Sequence, residues 1–248
     1  MHSALGPCND LIVAVGQKVV IVTGGSKGIG AGIAAAYRLE DWAVVAVARK
    51  IEPSEDDARL NIQADITDPS ASDLIVRETL NQFGRIDTLI NNAGLYIGKP
   101  FTDYTEDDFA SVVGVNVAGF FRITQRVISE MLVSGGGHVV NISTTLVDYA
   151  DSSAPSVLTS LTKGGVAAAT RALAIEYAAR GIRVNAVSPG VIQTPVHPAE
   201  EYESLGVDQP IGHVGQVDDI VKGVLFLEAS PFITGEIVHI DGGRIAGH

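Results

Sequence analysis

Hydrophobic residues make up 46% of the 248-residue chain, which is enough material for one α/β domain with a core on both faces of a sheet. Lys and Arg total 17 and Asp and Glu total 29, so the net charge of −12 excludes nucleic acid and anionic membrane surfaces as expected partners. The single cysteine, Cys8, cannot form an internal disulfide, and no Cys/His cluster has the spacing of a metal site.

The first 16 residues are predicted to be a short appendage to the domain. Their apolar run, at residues 11–15, is too short for the core of a signal peptide. No apolar run in the chain approaches the ~20 residues that a membrane-spanning helix needs. We therefore expect a soluble, cytoplasmic protein with no membrane partner.

Buried strands and amphipathic helices alternate along the rest of the chain. Strands are predicted where β-branched and apolar residues form short runs, and helices where apolar residues recur every three or four positions. Gly181 is a typical residue to end the long helix before it. The predicted strands cover residues 18–23, 42–48, 60–64, 85–90, 138–142, 182–187 and 236–240. The predicted helices cover residues 28–40, 68–83, 105–131 in two pieces, 155–179 and 216–228, with a loop or lid at 194–215.

This alternation favours a parallel sheet with right-handed crossover connections. No linker or low-complexity segment divides the pattern. The predicted fold is therefore a single doubly wound α/β domain over residues 17–248.

A glycine-rich loop connects the first predicted strand to the first predicted helix. It reads Thr-Gly-Gly-Ser-Lys-Gly-Ile-Gly at residues 23–30. Glycines there allow a tight turn and let backbone amides approach a pyrophosphate at the positive end of the helix. A glycine turn without a ligand is the alternative, but the strand–turn–helix context favours phosphate binding.

The loop resembles the Thr-Gly-x-x-x-Gly-x-Gly pattern of short-chain dehydrogenases/reductases, and the resemblance continues along nearly the whole chain. The matching segments are Asp65-Ile66, Asn91-Asn92-Ala93-Gly94, Asn116 within Gly-Val-Asn-Val-Ala-Gly, Asn141-Ile142-Ser143-Thr144, Lys163, residues 183–190, Thr194-Pro195, residues 234–236 and residues 241–243.

The resemblance implies a Rossmann-type domain with a parallel sheet of about seven strands. It also implies hydride transfer between a nicotinamide dinucleotide and a small organic substrate. The cofactor-binding residues that it implies are Gly24, Ser26, Lys27, Gly28, Ile29, Gly30, Arg49, Asp65, Ile66, Asn92, Ala93, Gly94, Lys163, Pro189, Gly190, Ile192 and Thr194.

The catalytic centre departs from the family pattern. The family's reaction needs a tyrosine four residues before the lysine, because the ammonium lowers the pKa of the phenol. Here Lys163 is present, but Thr159 occupies the tyrosine position. A single ammonium cannot bring a threonine hydroxyl into that range. The family's serine position falls on Thr144, beside Ser143, and threonine can still donate and accept a hydrogen bond.

The segment between the fifth strand and Lys163 is about two residues longer than usual and contains Asp148 and Tyr149. It resembles the 2,4-dienoyl-CoA reductases, which use a tyrosine placed earlier, in this same segment. Tyr149 is therefore the predicted proton donor. The alternatives are that it only lines the pocket, or that water relayed through Asn116 and Lys163 supplies the proton. The candidate catalytic residues are Asn116, Thr144, Tyr149, Thr159 and Lys163, whereas His197 and His213 are interpreted as loop residues.

Basic residues near the expected adenosine ribose predict a preference for NADP(H) over NAD(H). The second strand ends at Ala48 without the acidic residue that usually selects NAD. Arg49 follows it, and Lys27 lies in the glycine-rich loop. Two cations there would pair with a 2′-phosphate.

The leading prediction is an NADP(H)-dependent oxidoreductase that acts on a carbonyl or alcohol, or on an imine or activated C=C bond. The alternative is a dinucleotide-binding sensor or scaffold that has lost its chemistry. The helices at 105–131 and 155–179 carry apolar residues on more than one face. We therefore expect a homo-oligomer, and the family resemblance favours a tetramer.

Overall fold

A computed structural model describes residues 16–195, 198–207 and 209–247, and over them it confirms a single doubly wound α/β domain. The predicted appendage, apart from Gly16, lies outside the described residues, as do Cys8 and His197.

The strands and helices alternate as the sequence predicts. The strands are β1 Val19–Thr23, β2 Ala43–Ala48, β3 Arg59–Gln63, β4 Thr88–Asn91, β5 Gly137–Ile142, β6 Ile182–Pro189 and β7 Ile237–Ile240. The helices are α1 Gly28–Leu39, α2 Ala71–Phe83, α3 Glu106–Val113, α4 Phe120–Ser134, α5 Val157–Tyr177, α6 Tyr202–Val207 and α7 Val217–Ala229.

The described strands form one parallel sheet in the order β3-β2-β1-β4-β5-β6-β7. Alternate side chains of each strand point to opposite faces, so the sheet has a core on both sides. One core packs against α2, α4 and α5, and the other against α1 and α7. The strand order changes direction between β1 and β4, and open α/β sheets place their ligands beyond the carboxyl ends of the strands at such a point.

Most element boundaries are shifted by one to three residues from the predicted ones, and local side-chain bonds account for two of these shifts. The fourth strand begins at Thr88 instead of residue 85, because Asp87 pairs with Arg85 at 2.5 Å and accepts a hydrogen bond from the backbone N–H of Val19 at 2.8 Å. Helix α3 begins after Thr105, whose hydroxyl accepts a hydrogen bond from the backbone N–H of Asp108 and forms a capping box.

The loop or lid predicted at 194–215 is only partly irregular. This segment contains the short helix α6, preceded by a 3₁₀ turn at Ala199–Glu201. Six residues are too few to show helical periodicity in a stretch that also contains proline and glycine. None of the helices in the described part of the chain is long and apolar enough to cross a membrane.

Candidate active site at the carboxyl edge of the sheet

The amino terminus of α1 is open toward the carboxyl edge of the sheet. No side chain caps this helix, and its first turn holds no acidic residue. Gly28 has a φ of +55°, a backbone conformation that favours glycine. The first backbone N–H groups of α1 therefore keep their hydrogen-bonding capacity for an anion.

A second loop closes on this helix end from β4. The Asn92 Nδ2 atom donates hydrogen bonds to the backbone oxygens of Thr23 at 2.9 Å and Gly24 at 3.2 Å. A Cβ atom on Gly30 would lie 2.3 Å from the Gly24 oxygen and 2.4 Å from Asn92 Nδ2, so only glycine fits there. The Thr23 hydroxyl also accepts hydrogen bonds from the backbone N–H groups of Asn92 and Ala93. This close packing forms a backbone cradle that fits a pyrophosphate.

The residues assigned to the adenosine end line the neighbouring loops. Lys27 and Arg49 are exposed, as is Ser26. The Asp65 carboxylate accepts hydrogen bonds from the backbone and hydroxyl of Thr67, at 2.9 and 2.8 Å, and so holds the turn after β3. Asp65 therefore has a local structural partner besides its expected contact with an adenine.

Lys163 brings a positive charge from α5 to the ends of β4 and β5. Its Nζ atom donates a hydrogen bond to the Ile142 oxygen at 2.6 Å and lies 3.2 Å from where a Cβ of Gly94 would be. Part of the side chain reaches the surface, but the ammonium is enclosed, and burial lowers the pKa of Lys163 to about 8. Near neutral pH this group is a cation close to its own pKa.

Asn116 fixes the loop after β4 beside this lysine. It is 2% exposed and lies on a π-helical segment, Gly114–Gly119, that joins α3 to α4. Its Oδ1 atom accepts from the backbone N–H of Leu95 at 2.8 Å, and its Nδ2 atom donates to the Leu95 oxygen and the Thr162 hydroxyl. The Asn116 side chain is thus already hydrogen-bonded to protein groups. A water relay through Asn116 would need a further hydrogen bond besides these.

The two threonines differ in access to the site. Thr159 is 4% exposed, and its hydroxyl is buried with no hydrogen-bond partner among the described residues. Thr144 is half-buried, and its hydroxyl caps the 3₁₀ turn Thr145–Val147 by accepting from the backbone N–H of Leu146 at 3.4 Å. Thr144 is therefore better placed than Thr159 to touch a substrate.

Tyr149 lies between the end of β5 and the end of β7. It is half-buried, and the guanidinium carbon of Arg244 is 5.4 Å from the centre of its ring. Arg244 also forms an ion pair with Asp151 at 2.5 Å, and His239 pairs with Asp148 at 3.1 Å. These contacts attach the segment that carries Tyr149 to the carboxyl end of β7. The sequence analysis missed Arg244, whose only signal is its place directly after a family-like Asp-Gly-Gly segment.

The loop after β6 covers the glycine-rich loop between β1 and α1. Thr194 is held there by the Tyr202 hydroxyl, which donates to its backbone oxygen at 3.0 Å, and its Cβ atom lies 3.5 Å from where a Cβ of Gly28 would be. Ile192 is 5% exposed and bridges to Gly215. Thr194 and Ile192, both expected to bind the cofactor, therefore lie on the loop that faces the amino terminus of α1.

The lid residues that follow pack onto the end of β7. The backbone N–H of Ile211 donates to the Gly242 oxygen at 3.0 Å, and a Cβ on Gly242 would lie 2.7 Å from the Ile211 side chain. His213 is exposed, and its Nδ1 atom lies 3.0 Å from the backbone oxygen of Val214. Among the described residues, no group of three His, Cys, Asp or Glu side chains could hold a metal ion.

Comparisons with known proteins agree with this geometry. Residues 24–244 match the family described as enoyl-(acyl carrier protein) reductase. The chain is 35% identical over 246 residues to a (2S)-[(R)-hydroxy(phenyl)methyl]succinyl-CoA dehydrogenase subunit of Thauera aromatica, covering 94% of this chain and 98% of that protein. The structure of ElxO with NADP bound superposes with a TM-score of 0.87 at 30% identity, covering 93% of this chain and all of the other. The 3-ketoacyl-(acyl-carrier-protein) reductase of Brucella melitensis, complexed with NADH, gives a TM-score of 0.86 at 30% identity, covering 92% and 98%.

Proposed function

The chain belongs to the short-chain dehydrogenase/reductase family, and on that premise we propose that it is an NADP(H)-dependent oxidoreductase. Its substrate is a small organic carbonyl or alcohol, or an imine or activated C=C bond. The proposal assigns dinucleotide binding to the domain of residues 17–248. The observation that carries it is the uncapped amino terminus of α1, enclosed by the loops after β1, β4 and β6 at the same edge as the Lys163 ammonium.

The proposed cofactor-binding residues form three groups, each of which holds a different part of the dinucleotide. The amides at residues 28–30 would hold the pyrophosphate. Ile192 and Thr194 would hold the nicotinamide amide, with Pro189 and Gly190 shaping the turn before them. Lys163 would hold the ribose, together with a water that Asn116 orders. A bound nicotinamide supplies or accepts the hydride, so the protein itself must orient the substrate and move one proton.

Thr144 and Ser143 are the groups that we assign to the substrate oxygen. Thr144 is half-buried at the end of β5 and can donate or accept a hydrogen bond. Ser143 is 6% exposed, so its contribution would be to shape the site from below. Tyr149 and Thr159 remain the candidates for moving the proton.

The direct test is NADPH oxidation across a panel of ketones, imines and activated alkenes. Gly30→Val is the matched negative control, because any Cβ there would meet the Gly24 oxygen and close the cradle. We expect turnover by the unaltered protein and neither binding nor turnover by the variant. Binding of NADPH without turnover of any compound would favour the dinucleotide-binding sensor or scaffold, a reading that the buried Thr159 hydroxyl supports.

The cofactor preference gives a prediction of its own. NADPH should bind more tightly than NADH, and removing the charge of Arg49 or Lys27 by substitution with alanine should weaken NADPH binding about tenfold, since a hydrogen bond to a charged group contributes ~1.5–3 kcal/mol. NADH binding should hardly change. Calorimetry measures both cofactors, and Lys222→Ala, an exposed cation on α7, is the control. Equal or tighter binding of NADH by the unaltered protein would contradict the prediction.

We also propose that the protein forms the predicted tetramer, through exposed apolar surfaces of α4 and α5. Large apolar side chains lie exposed on the outer faces of two helices, Phe121 and Val133 on α4 and Leu161 and Ile175 on α5, each more than half exposed. Burying them against a second copy would remove a large apolar area from water. Light scattering should give the mass of a tetramer, and Phe121→Glu combined with Ile175→Glu should reduce it. A stable monomer at micromolar concentration would refute the proposal.

The cytoplasmic location stays a prediction from the sequence.

A further inference from the structure

Arg244 is a buried arginine, and one of its buried nitrogen atoms lacks a hydrogen-bond partner in the described part of the chain. The residue is 7% exposed, and its Nε–H group is buried without a hydrogen-bond partner among the described residues. One of its other nitrogens pairs with Asp151 at 2.5 Å, and its guanidinium lies over the Tyr149 ring. Buried N–H groups in folded proteins almost always have an acceptor, so the free Nε–H indicates a group that binds here.

Its position is on the substrate side of the proposed site. Asp241 holds the turn that carries Arg244, by accepting from the backbone N–H groups of Gly243 and Ile245. The Asp241 backbone packs against Gly190, which belongs to the loop that we assign to the nicotinamide. The phosphate cradle, by contrast, is built from the loops after β1 and β4. Arg244 thus lies beside Tyr149, on the side of the proposed site away from the phosphate cradle.

The contacts of Arg244 come from a segment distant in the sequence. Tyr149 and Asp151 come from the segment after β5, and Tyr96 comes from the loop after β4. Burial raises the pKa of Tyr96, and the Arg244 charge opposes that rise. The lid residues 209–211 pack on the adjacent Gly242 and Gly243. The Tyr149 ring therefore lies beside an arginine that has one buried N–H group without a partner among the described residues.

The charge of this arginine is already compensated. Asp151 accepts hydrogen bonds from the backbone and hydroxyl of Ser153 at 2.8 and 2.6 Å, which with Arg244 hold the pKa of its carboxyl below the usual range. The pair is therefore ionised, and its net charge is zero. An anion would lose its hydration here without a net positive charge to replace it. A neutral oxygen acceptor gains the same strong hydrogen bond at a smaller desolvation cost.

We propose that Arg244 is a specificity-determining residue that binds a neutral oxygen acceptor, such as an ester or amide carbonyl, at the end of the substrate remote from the reacting carbon. The inference rests on the proposed function and deepens it: it makes the substrate a keto ester, a keto amide or a compound of similar polarity. A plain hydrocarbon ketone and a keto acid would both be poorer substrates.

The test uses three ketones of equal length whose remote end is a methyl ester, a carboxylate or an alkyl group. In the unaltered protein we expect the ester to exceed both others in kcat/KM by about tenfold, the effect of one hydrogen bond to a charged donor. Arg244→Lys keeps the ion pair with Asp151 but lacks the Nε–H fork, so it should lose the preference for the ester over the alkyl ketone. Arg244→Gln with Asp151→Asn removes both charges together, so that neither is left buried alone, and should lose the preference as well. Arg77→Lys, in an exposed pair, is the control.

Binding is measured alongside turnover, by the shift in melting temperature of the NADPH-loaded protein with each ketone. A preference for the ester in binding without turnover of any ketone would uphold the role of Arg244 and overturn the proposed function. Turnover of all three at equal rates, or retention of the ester preference in Arg244→Lys, would overturn the role and leave the proposed function intact. No difference in binding and no turnover would overturn both.

Discussion

Tyr149→Phe should lower the turnover of any substrate by roughly two to four orders of magnitude, the usual effect of losing a general acid. NADPH affinity should stay the same. Hydride addition leaves negative charge on oxygen, nitrogen or carbon, and some group must neutralise it. Thr159 has its hydroxyl buried, whereas Tyr149 lies half-buried on the loop after β5, at the edge where sheets of this kind bind ligands.

The substitution is informative because the variant keeps the aromatic ring. A phenylalanine can still pack against the Arg244 guanidinium, so the loss reports the hydroxyl. Thr159→Val is the matched comparison for the other candidate: it removes a buried hydroxyl that has no described partner, so we expect a nearly unchanged rate and a stability that is equal or higher. If Tyr149→Phe keeps near-normal rates while Thr159→Val loses activity, Tyr149 is only a pocket wall and Thr159 takes part, for example by ordering a water.

Lys163→Met should abolish most turnover, by at least about a hundredfold, and yet stabilise the fold at pH 7. Burial lowers the pKa of Lys163 from 10.5 to about 8, so at pH 7 the folded protein must enclose a charged ammonium. Removing that charge should outweigh the loss of the hydrogen bond to the Ile142 oxygen and leave a gain on the order of 2 kcal/mol. The Lys163 ammonium would then be needed for turnover although it lowers the stability of the folded protein.

The dependence on pH has a definite sign. Between pH 8 and 10.5 the unfolded chain binds the lysine proton and the folded protein does not, so the stability of the unaltered protein rises with pH there. The advantage of Lys163→Met should shrink over the same window. Proton transfer that needs the ammonium should slow above about pH 8. Urea unfolding at pH 7 and pH 10, with Lys222→Met as the control, measures the first effect. A variant that is less stable at pH 7 would show that the hydrogen bond to Ile142 dominates.

The strands, the long helices and the glycine-rich loop could be predicted from the sequence, because each depends on residues close together in the chain. The run of β-branched and apolar residues at 18–23 predicted β1, and the glycines at 28 and 30 predicted the turn that starts α1. Alternating strands and helices then left few topologies open, since parallel crossovers are right-handed. The family resemblance follows from the same local segments, and the comparisons confirm it.

The state of the catalytic centre was decided only by the tertiary structure. The sequence shows Thr159 in place of a tyrosine, but it does not show that the hydroxyl is buried without a partner. It places Tyr149 near the site, but it gives no sign that Arg244 lies over the Tyr149 ring and pairs with Asp151, 93 residues earlier in the chain. Such contacts join loops whose residues have no periodicity, and their geometry depends on where the sheet brings the ends of separate strands together. Local pattern therefore determines the scaffold of this protein, whereas the packing of distant loops determines which side chains meet the substrate.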